Sequence, residues 1–149
     1  GKRESRRYVG DHIITQNDVR AEGRFNDLVA YGGWTMDDHH PAGFYHLGDP
    51  TIFHPAPSPF GIPYRSLYSV NIENLFFAGR NISATHAAMS ATRVMATCAT
   101  MGQAVGTAAA IAIGEELTPR GVYQQRINDL KQTLMEDDCY LPWNRYQVS

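Results

Sequence analysis

The chain has 149 residues, the size of one ordinary domain or of part of a larger one. It is 43% hydrophobic, 11% aromatic and 19% charged, a globular composition that excludes disordered, collagen-like and disulfide-framework proteins. Thirteen Lys and Arg against fifteen Asp and Glu give a net charge of -2, so we expect no nucleic-acid partner and no anionic membrane partner. The two cysteines, Cys98 and Cys139, are far apart in the sequence, and we expect two reduced thiols.

The first third of the chain predicts short, mixed elements. Residues 8–15 are rich in β-forming side chains and predict a strand. Asn17 or Asp18 is placed to cap a short helix through Ala21. Residues 27–31 predict a second short strand, which two glycines end.

Residues 37–65 differ from the rest in composition, because six of the eight prolines lie there. Proline removes a backbone donor and fixes φ, so neither a long helix nor a central strand fits. The composition predicts a long, stiff, ordered loop. Four of the six histidines fall within it, and long loops in compact domains are often functional.

The second half predicts two strands and two helices. Residues 69–72 predict a short strand or turn, and residues 74–79 predict a buried strand that ends at Gly79. A long helix follows over about 94–113, with Gly114 as its stop. Thr118 is placed to cap a last helix that begins with Pro119 and runs to about residue 135.

The predicted helix over 94–113 has twenty residues without a charge, which is long enough to cross a membrane. Seven of these residues are Ala, three are Thr and two are Gly, so the segment is poorer in large apolar side chains than membrane insertion requires. We therefore expect a buried helix of a soluble protein.

One face of this helix carries small residues at helical spacing: Ala99, Gly102, Gly106, Ala109 and Ile113. Such a face lets another backbone or a flat ligand pack at short distance. From these features alone, tight packing on a sheet and the approach of a large anionic cofactor both remain open.

Three segments in the same region resemble, in order and spacing, the C-terminal signature of FAD-dependent oxidoreductases: residues 72–86, 93–98 and 102–110. The bacterial FAD-dependent oxidoreductases are the closest group, and succinate dehydrogenase and fumarate reductase flavoproteins are wider relatives. Residues 3–7 and 61–67 are also similar to this group. The sequence contains no GxGxxG turn for the pyrophosphate of FAD. The resemblance therefore implies only the C-terminal part of such an enzyme, with an N-terminal dinucleotide-binding part of the same protein as its partner.

The resemblance also implies roles for individual residues in FAD binding. Ala78, Gly79 and Arg80 correspond to the strand end beside the ribityl and pyrophosphate groups. Arg80 stands where many relatives carry an acidic residue, and it is better suited to a phosphate or a carboxylate. When residues 102–106 are aligned with the succinate dehydrogenase flavoproteins, the backbone of Arg93, Val94 and Met95 corresponds to the helix start at the flavin's pyrimidine edge. Gly102 is a further cofactor-binding candidate.

His86 and Arg93 are the catalytic candidates that the resemblance implies, because a histidine near this place faces the substrate in fumarate reductase relatives. A hydrogen-bonded loop histidine is the alternative for His86. A second polar cluster contains Asp37, Asp38, His39 and His40, with further His and Asp residues up to His54. Its spacing matches no standard zinc pattern, and we expect no metal. Asp38, His39 and His40 are candidates to face the substrate, with solvated loop side chains as the alternative.

Together these features predict an α+β chain in three parts. Residues 1–70 are expected to belong to a substrate domain of short strands and a Pro-rich loop. Residues 71–116 would be the C-terminal part of an FAD-binding α/β domain, and residues 117–149 a helical tail. The predicted function is hydride transfer between a small-molecule substrate and FAD, with this chain inactive alone. The alternative is a free-standing module that binds carbohydrate or metal through the His- and aromatic-rich loop.

Overall fold

The computed structural model describes residues 6–145, so residues 3–5 of the arginine-rich start lie outside it. Over this range the chain is an α+β structure, as predicted, with four α-helices and two antiparallel sheets of two strands each. The helices are α1 (Gln16–Arg20), α2 (His86–Thr92), α3 (Met95–Gly114) and α4 (Pro119–Glu136). The strands are β1 (Leu28–Gly32), β2 (Met36–His39), β3 (Thr51–His54) and β4 (Phe60–Pro63).

The first sheet pairs β1 with β4 and forms the centre of the core. Both strands are almost wholly buried, with Leu28 opposite Pro63 and Gly32 opposite Phe60. Helix α3 packs on β1 and on α4, so the sheet lies beneath the two long helices. Burial on this scale is the main stabilising contribution to the fold.

The second sheet is the hairpin β2–β3, which packs against α2. It shows that the prediction of one long loop over 37–65 was wrong, since three of the four strands lie wholly or partly within that range. The prolines flank the strands: Pro41 and Pro50 lie in the hairpin connection, and Pro63 is the last residue of β4. Two-stranded sheets have only edge strands, which tolerate proline at their ends.

Two other predicted strands are reduced to single bridges, and the predicted strand or turn at 69–72 is a turn. Residues 8–15 form one parallel bridge, Ile14 with Ala84, and residues 74–79 form one antiparallel bridge, Phe76 with Tyr68. Residues 69–72 form a turn in which the Ser69 hydroxyl accepts from the backbone N–H of Ile72. These segments do not form regular ladders because their backbone hydrogen bonds go to several irregular neighbours.

The helix predictions were better, with two corrections at the ends. Helices α3 and α4 match the predicted ranges within one residue, and the Thr118 hydroxyl caps α4 by accepting from the N–H of Gly121. Gly114 is still helical, with Glu115 as the C-cap. The cap of α1 is Thr15, two to three residues before the predicted one, because Thr15 and Asp18 form a reciprocal capping box.

Two ion pairs connect distant parts of the chain. The buried Asp27 carboxylate accepts from Arg65 Nε and Nη2, at 2.9 and 3.0 Å, and these bonds raise the pKa of Arg65. Asp11 accepts from Arg120 Nε at 2.8 Å and from the Tyr68 hydroxyl at 2.6 Å. The Arg120 hydrogen bonds lower the pKa of Asp11. This charged pair joins α4 to the irregular N-terminal segment.

Candidate active site

Helix α2 places the two catalytic candidates at its opposite ends. The Thr85 side chain caps the helix by accepting from the N–H of Ala88, and His86 is its first residue. Arg93 is the C-cap, and Val94, the next residue, is already the N-cap of α3. The last five residues of α2, from Ala88 to Thr92, are all buried. The position of both candidates is therefore fixed by a helix that the core holds firmly.

His86 is hydrogen-bonded to Asp38 across 48 positions of sequence, through its Nε2 and the Asp38 carboxylate. Side chains alternate along a strand, so Asp38 shares the face of β2 that buries Met36 and faces α2. Because an ionised carboxylate only accepts, Nε2–H is the donor in this hydrogen bond. The two side chains are 27% and 26% exposed, so the pair is held in place but can be reached by a small molecule.

Arg93 extends from the other end of α2 to the same strand. Its Nη2 donates to the backbone carbonyl of Asp37 at 3.4 Å. The Asp37 carboxylate in turn accepts from the indole Nε1 of Trp34 at 2.9 Å and from the Thr35 hydroxyl at 2.5 Å. The start of β2 is thus joined to both ends of α2.

The other two substrate candidates, His39 and His40, are not part of this arrangement. His39 lies on the opposite face of β2 from Asp38, and its Nδ1 is hydrogen-bonded to the Thr51 hydroxyl at 2.7 Å. His40 accepts from the N–H of Ala42 and stacks on His46, with 3.7 Å between ring centroids. The structure therefore brings His86 to Asp38 and Arg93 to the neighbouring Asp37 carbonyl, and places His39 and His40 elsewhere on the hairpin.

The start of α3 is open beside a small cleft. Val94 provides no side-chain cap, and the first helical hydrogen bond runs from Cys98 N to Val94 O at 2.9 Å. The backbone N–H groups of Met95, Ala96 and Thr97 therefore have no helical acceptor, as at every helix start. The cleft, of about 170 Å³, is lined by the end of β1, the following turn and the first turns of α3. Such a helix start favours an electron-rich oxygen.

Three further predicted contacts, Ala78, Gly79 and Arg80, lie outside this cluster. Gly79 has a φ of +101°, a backbone conformation that favours glycine, and it lies two residues after Phe77, which stacks on Tyr8. Ala78 and Arg80, on either side of Gly79, are half-buried. An added Cβ at Gly79 would meet its nearest atom at 3.7 Å, so there is room for a side chain. The glycine is therefore required by its backbone conformation and not by lack of space.

Gly102 and Gly106 lie on an open face of α3. An added Cβ at either position would meet nothing within 4 Å. The flanking side chains on this side, Met95 and Ile113, are 88% and 81% exposed, whereas Ala104 and Ala108 on the opposite side are fully buried. Among residues 6–145, α3 is also the one helix with the length and apolar composition of a membrane span, which core helices of soluble proteins share. Within the described chain, therefore, nothing covers the small-residue face.

The metal-binding alternative receives no support from the geometry. Within residues 6–145, no group of three or more His, Cys, Asp or Glu side chains is placed to hold a metal ion. The cysteines are also poorly suited as ligands, since burial raises the pKa of both the Cys98 and the Cys139 thiol.

Comparison with known proteins agrees with the resemblance seen in the sequence. The sequence model of the family described as FAD dependent oxidoreductase matches residues 1–134. The chain belongs to the FAD-dependent oxidoreductase family. Membership of this family implies FAD as the cofactor and an enzymatic function for the full-length protein. Searches of curated proteins and of solved structures gave no match.

For this FAD-dependent oxidoreductase, the sequence patterns missed α2 and the hairpin β2–β3. One signal for α2 was present, because Thr85 precedes an Ala-rich run and is a good N-cap. The pairing of Asp38 with His86 has no local signal, since it depends on the packing of the hairpin on α2. Trp34 and Asp37, which join the cleft to β2, were not singled out as a pair, although their hydrogen bond spans only three positions of sequence.

Proposed function

We propose that this chain forms one wall of the flavin site in a larger enzyme, which transfers hydride between a small-molecule substrate and FAD. When bound, FAD supplies the hydride chemistry. The observation that carries the proposal is that both ends of α2 contact β2, His86 through Asp38 and Arg93 through the Asp37 carbonyl, and that the Arg93 end adjoins the open start of α3.

His86 is the proton-transferring residue in this proposal. Asp38 holds the imidazole of His86 through Nε2 and so fixes the orientation in which the ring can exchange a proton with a substrate hydroxyl. The carboxylate also stabilises the imidazolium that forms when His86 takes up that proton. Arg93 supplies a permanent positive charge at the other end of α2, where it can bind an oxyanion of the substrate or offset negative charge on the flavin.

The residues present fit FAD in one part of its structure. The open backbone N–H groups after Val94, together with Met95 and Arg93, suit the oxygen-rich pyrimidine edge of a flavin. Ala78, Gly79 and Arg80 are proposed to lie along the ribityl and pyrophosphate groups. The pyrophosphate turn itself is absent from the sequence, so we assign it to an N-terminal dinucleotide-binding part of the same protein.

The same part of the protein is the proposed cover for the open face of α3, which includes Gly102 and Gly106. Residues 71–116 would then complete the FAD-binding domain, with residues 1–70 as a share of the substrate domain and 117–149 as a tail. In this arrangement α3 is a core helix of a soluble enzyme, and neither a membrane nor a nucleic acid is a partner.

The test is anaerobic reduction of flavin in the full-length protein, after a panel of hydroxylated small molecules has been screened for one that bleaches the wild-type flavin. His86→Ala is expected to lower the rate of flavin reduction by about 10²–10⁴-fold and to leave the bound FAD in place. His12→Ala is the matched control, because His12 has an equivalent partner in Asp18 at 3.3 Å, with side chains 24% and 26% exposed. It should react at the wild-type rate.

Arg93→Ala should lower both FAD retention and the reduction rate, because a positive charge is lost at the start of α3. If His86→Ala reduces its flavin at the wild-type rate with saturating substrate, then His86 is only a structural residue. A wild-type full-length protein that binds no FAD would refute the proposed function as a whole.

A further inference from the structure

The indole of Trp34 is unusual in being both exposed and fixed. Its side chain is 56% exposed in the turn between β1 and β2. The indole N–H nevertheless donates to the Asp37 carboxylate at 2.9 Å, and the Thr35 hydroxyl holds the second oxygen of that carboxylate. Because this hydrogen bond already orients the ring, less rotamer freedom is lost when a ligand binds to it.

This indole forms one wall of the cleft at the start of α3. The cleft is lined by Trp34 and Tyr31 on one side and by Val94 and the first turns of α3 on the other, and its surface is mainly apolar. Its volume of about 170 Å³ is close to that of an apolar cavity that holds benzene, at about 150 Å³. The cleft therefore has room for one flat six-membered ring.

We propose that Trp34 contacts the pyrimidine ring of the FAD isoalloxazine in this cleft and that Asp37 is its positioning residue. This inference rests on the proposed function, which places that edge of the flavin at Val94 and Met95. A flat ring with oxygens on its edge suits both parts of the cleft, since the faces meet aromatic and apolar side chains and the oxygens meet backbone N–H groups. The ribityl and phosphate groups of FAD do not suit this cleft, because they are polar and the cleft is small and lined mainly by apolar atoms.

The two tryptophans of the sequence allow a matched experiment on the full-length protein with FAD bound. An indole in contact with a flavin quenches flavin fluorescence by electron transfer. Trp34→Phe should therefore raise the fluorescence per bound FAD and weaken FAD binding between about twofold and tenfold, because one aromatic contact is altered. Trp143→Phe should change neither, since Trp143 lies beneath Arg24 and does not line the cleft.

Variants of Asp37 test the positioning role separately. Asp37→Ala removes the acceptor of the indole N–H and should also raise the fluorescence, although Trp34 is still present. Asp37→Asn keeps a carbonyl acceptor and should restore the quenched state. A purely structural role would change thermal stability without this pattern in the fluorescence.

Unchanged fluorescence and FAD affinity in Trp34→Phe would overturn the inference. A change confined to the KM of the substrate would overturn it too, because the cleft would then hold a ring of the substrate. Absence of FAD from the wild-type full-length protein would refute the proposed function and this inference together. The fluorescence comparison is made on protein with FAD bound, so its failure would refute only the contact with Trp34.

Discussion

The open face of α3 predicts opposite responses to two substitutions that lie two residues apart. Gly106 has open space around the position of its missing Cβ, whereas Ala108 is fully buried against the core. Gly106→Leu in the 149-residue chain replaces a flexible residue in an exposed helix with a better helix former. The expected gain in the free energy of unfolding is about 0.5–1 kcal/mol. For a chain of this length that corresponds to an increase in Tm of about 1–4 °C.

Ala108→Leu is the control on the buried side of the same helix. Adding three carbon atoms to a filled core is expected to cost about 1–3 kcal/mol, which lowers the Tm by about 2–12 °C. In the full-length protein Gly106→Leu should also become destabilising, by about 1–3 kcal/mol, because the proposed dinucleotide-binding part packs closely on that face.

Thermal unfolding followed by circular dichroism, on both lengths of the protein, checks these values. The decisive comparison is the sign of the Gly106→Leu effect in the short chain and in the full-length protein. A full-length variant with unchanged Tm and flavin content would show that the face stays exposed. A lower Tm in the 149-residue chain would show that the described residues already restrict this position.

The remaining predictions concern the retention of FAD by the 149-residue chain and the stability of the fold at low pH. The 149-residue chain purified alone should be colourless, because the pyrophosphate turn is missing; a yellow preparation with stoichiometric flavin would contradict this. Arg120 holds the pKa of Asp11 below its usual value. That pair therefore stabilises the fold above the unfolded pKa of about 3.9, and the contribution is lost as the pH falls through the lower folded value. Asp11→Asn should reduce the difference in unfolding free energy between pH 7 and about pH 3 by no more than ~1 kcal/mol, because the pair is partly exposed. Equal acid sensitivity in urea titrations of the two proteins would refute this role for Asp11.

The elements that sequence patterns predicted well are those with strong local signals. Helix α4 begins with Thr118 and Pro119, a cap and a first residue that define its start in any context. Helix α3 has twenty residues and is rich in Ala, the strongest helix former. Strand β1 is a short apolar run that ends in glycine. For these elements local preference and tertiary structure agree.

The missed elements are those that tertiary contacts create. Helix α2 has seven residues, which is too short to be stable alone, and it forms because five of its residues are buried. Hairpin β2–β3 carries polar residues such as Asp37 and His39, which are weak strand formers. Asp38 and His86 were both predicted as site residues, but their hydrogen bond could be seen only after the hairpin and α2 were placed together.

The length of α2 sets the distance between the two catalytic candidates. From His86 to Arg93 the chain advances seven positions, which at 1.5 Å per residue separates their Cα atoms by about 10 Å along the axis. Because the last five residues of the helix are buried, the core holds this spacing. Deleting or inserting one residue would turn His86 by about 100° relative to Arg93 and remove it from Asp38. The relative orientation of the two side chains therefore depends on the number of residues between them.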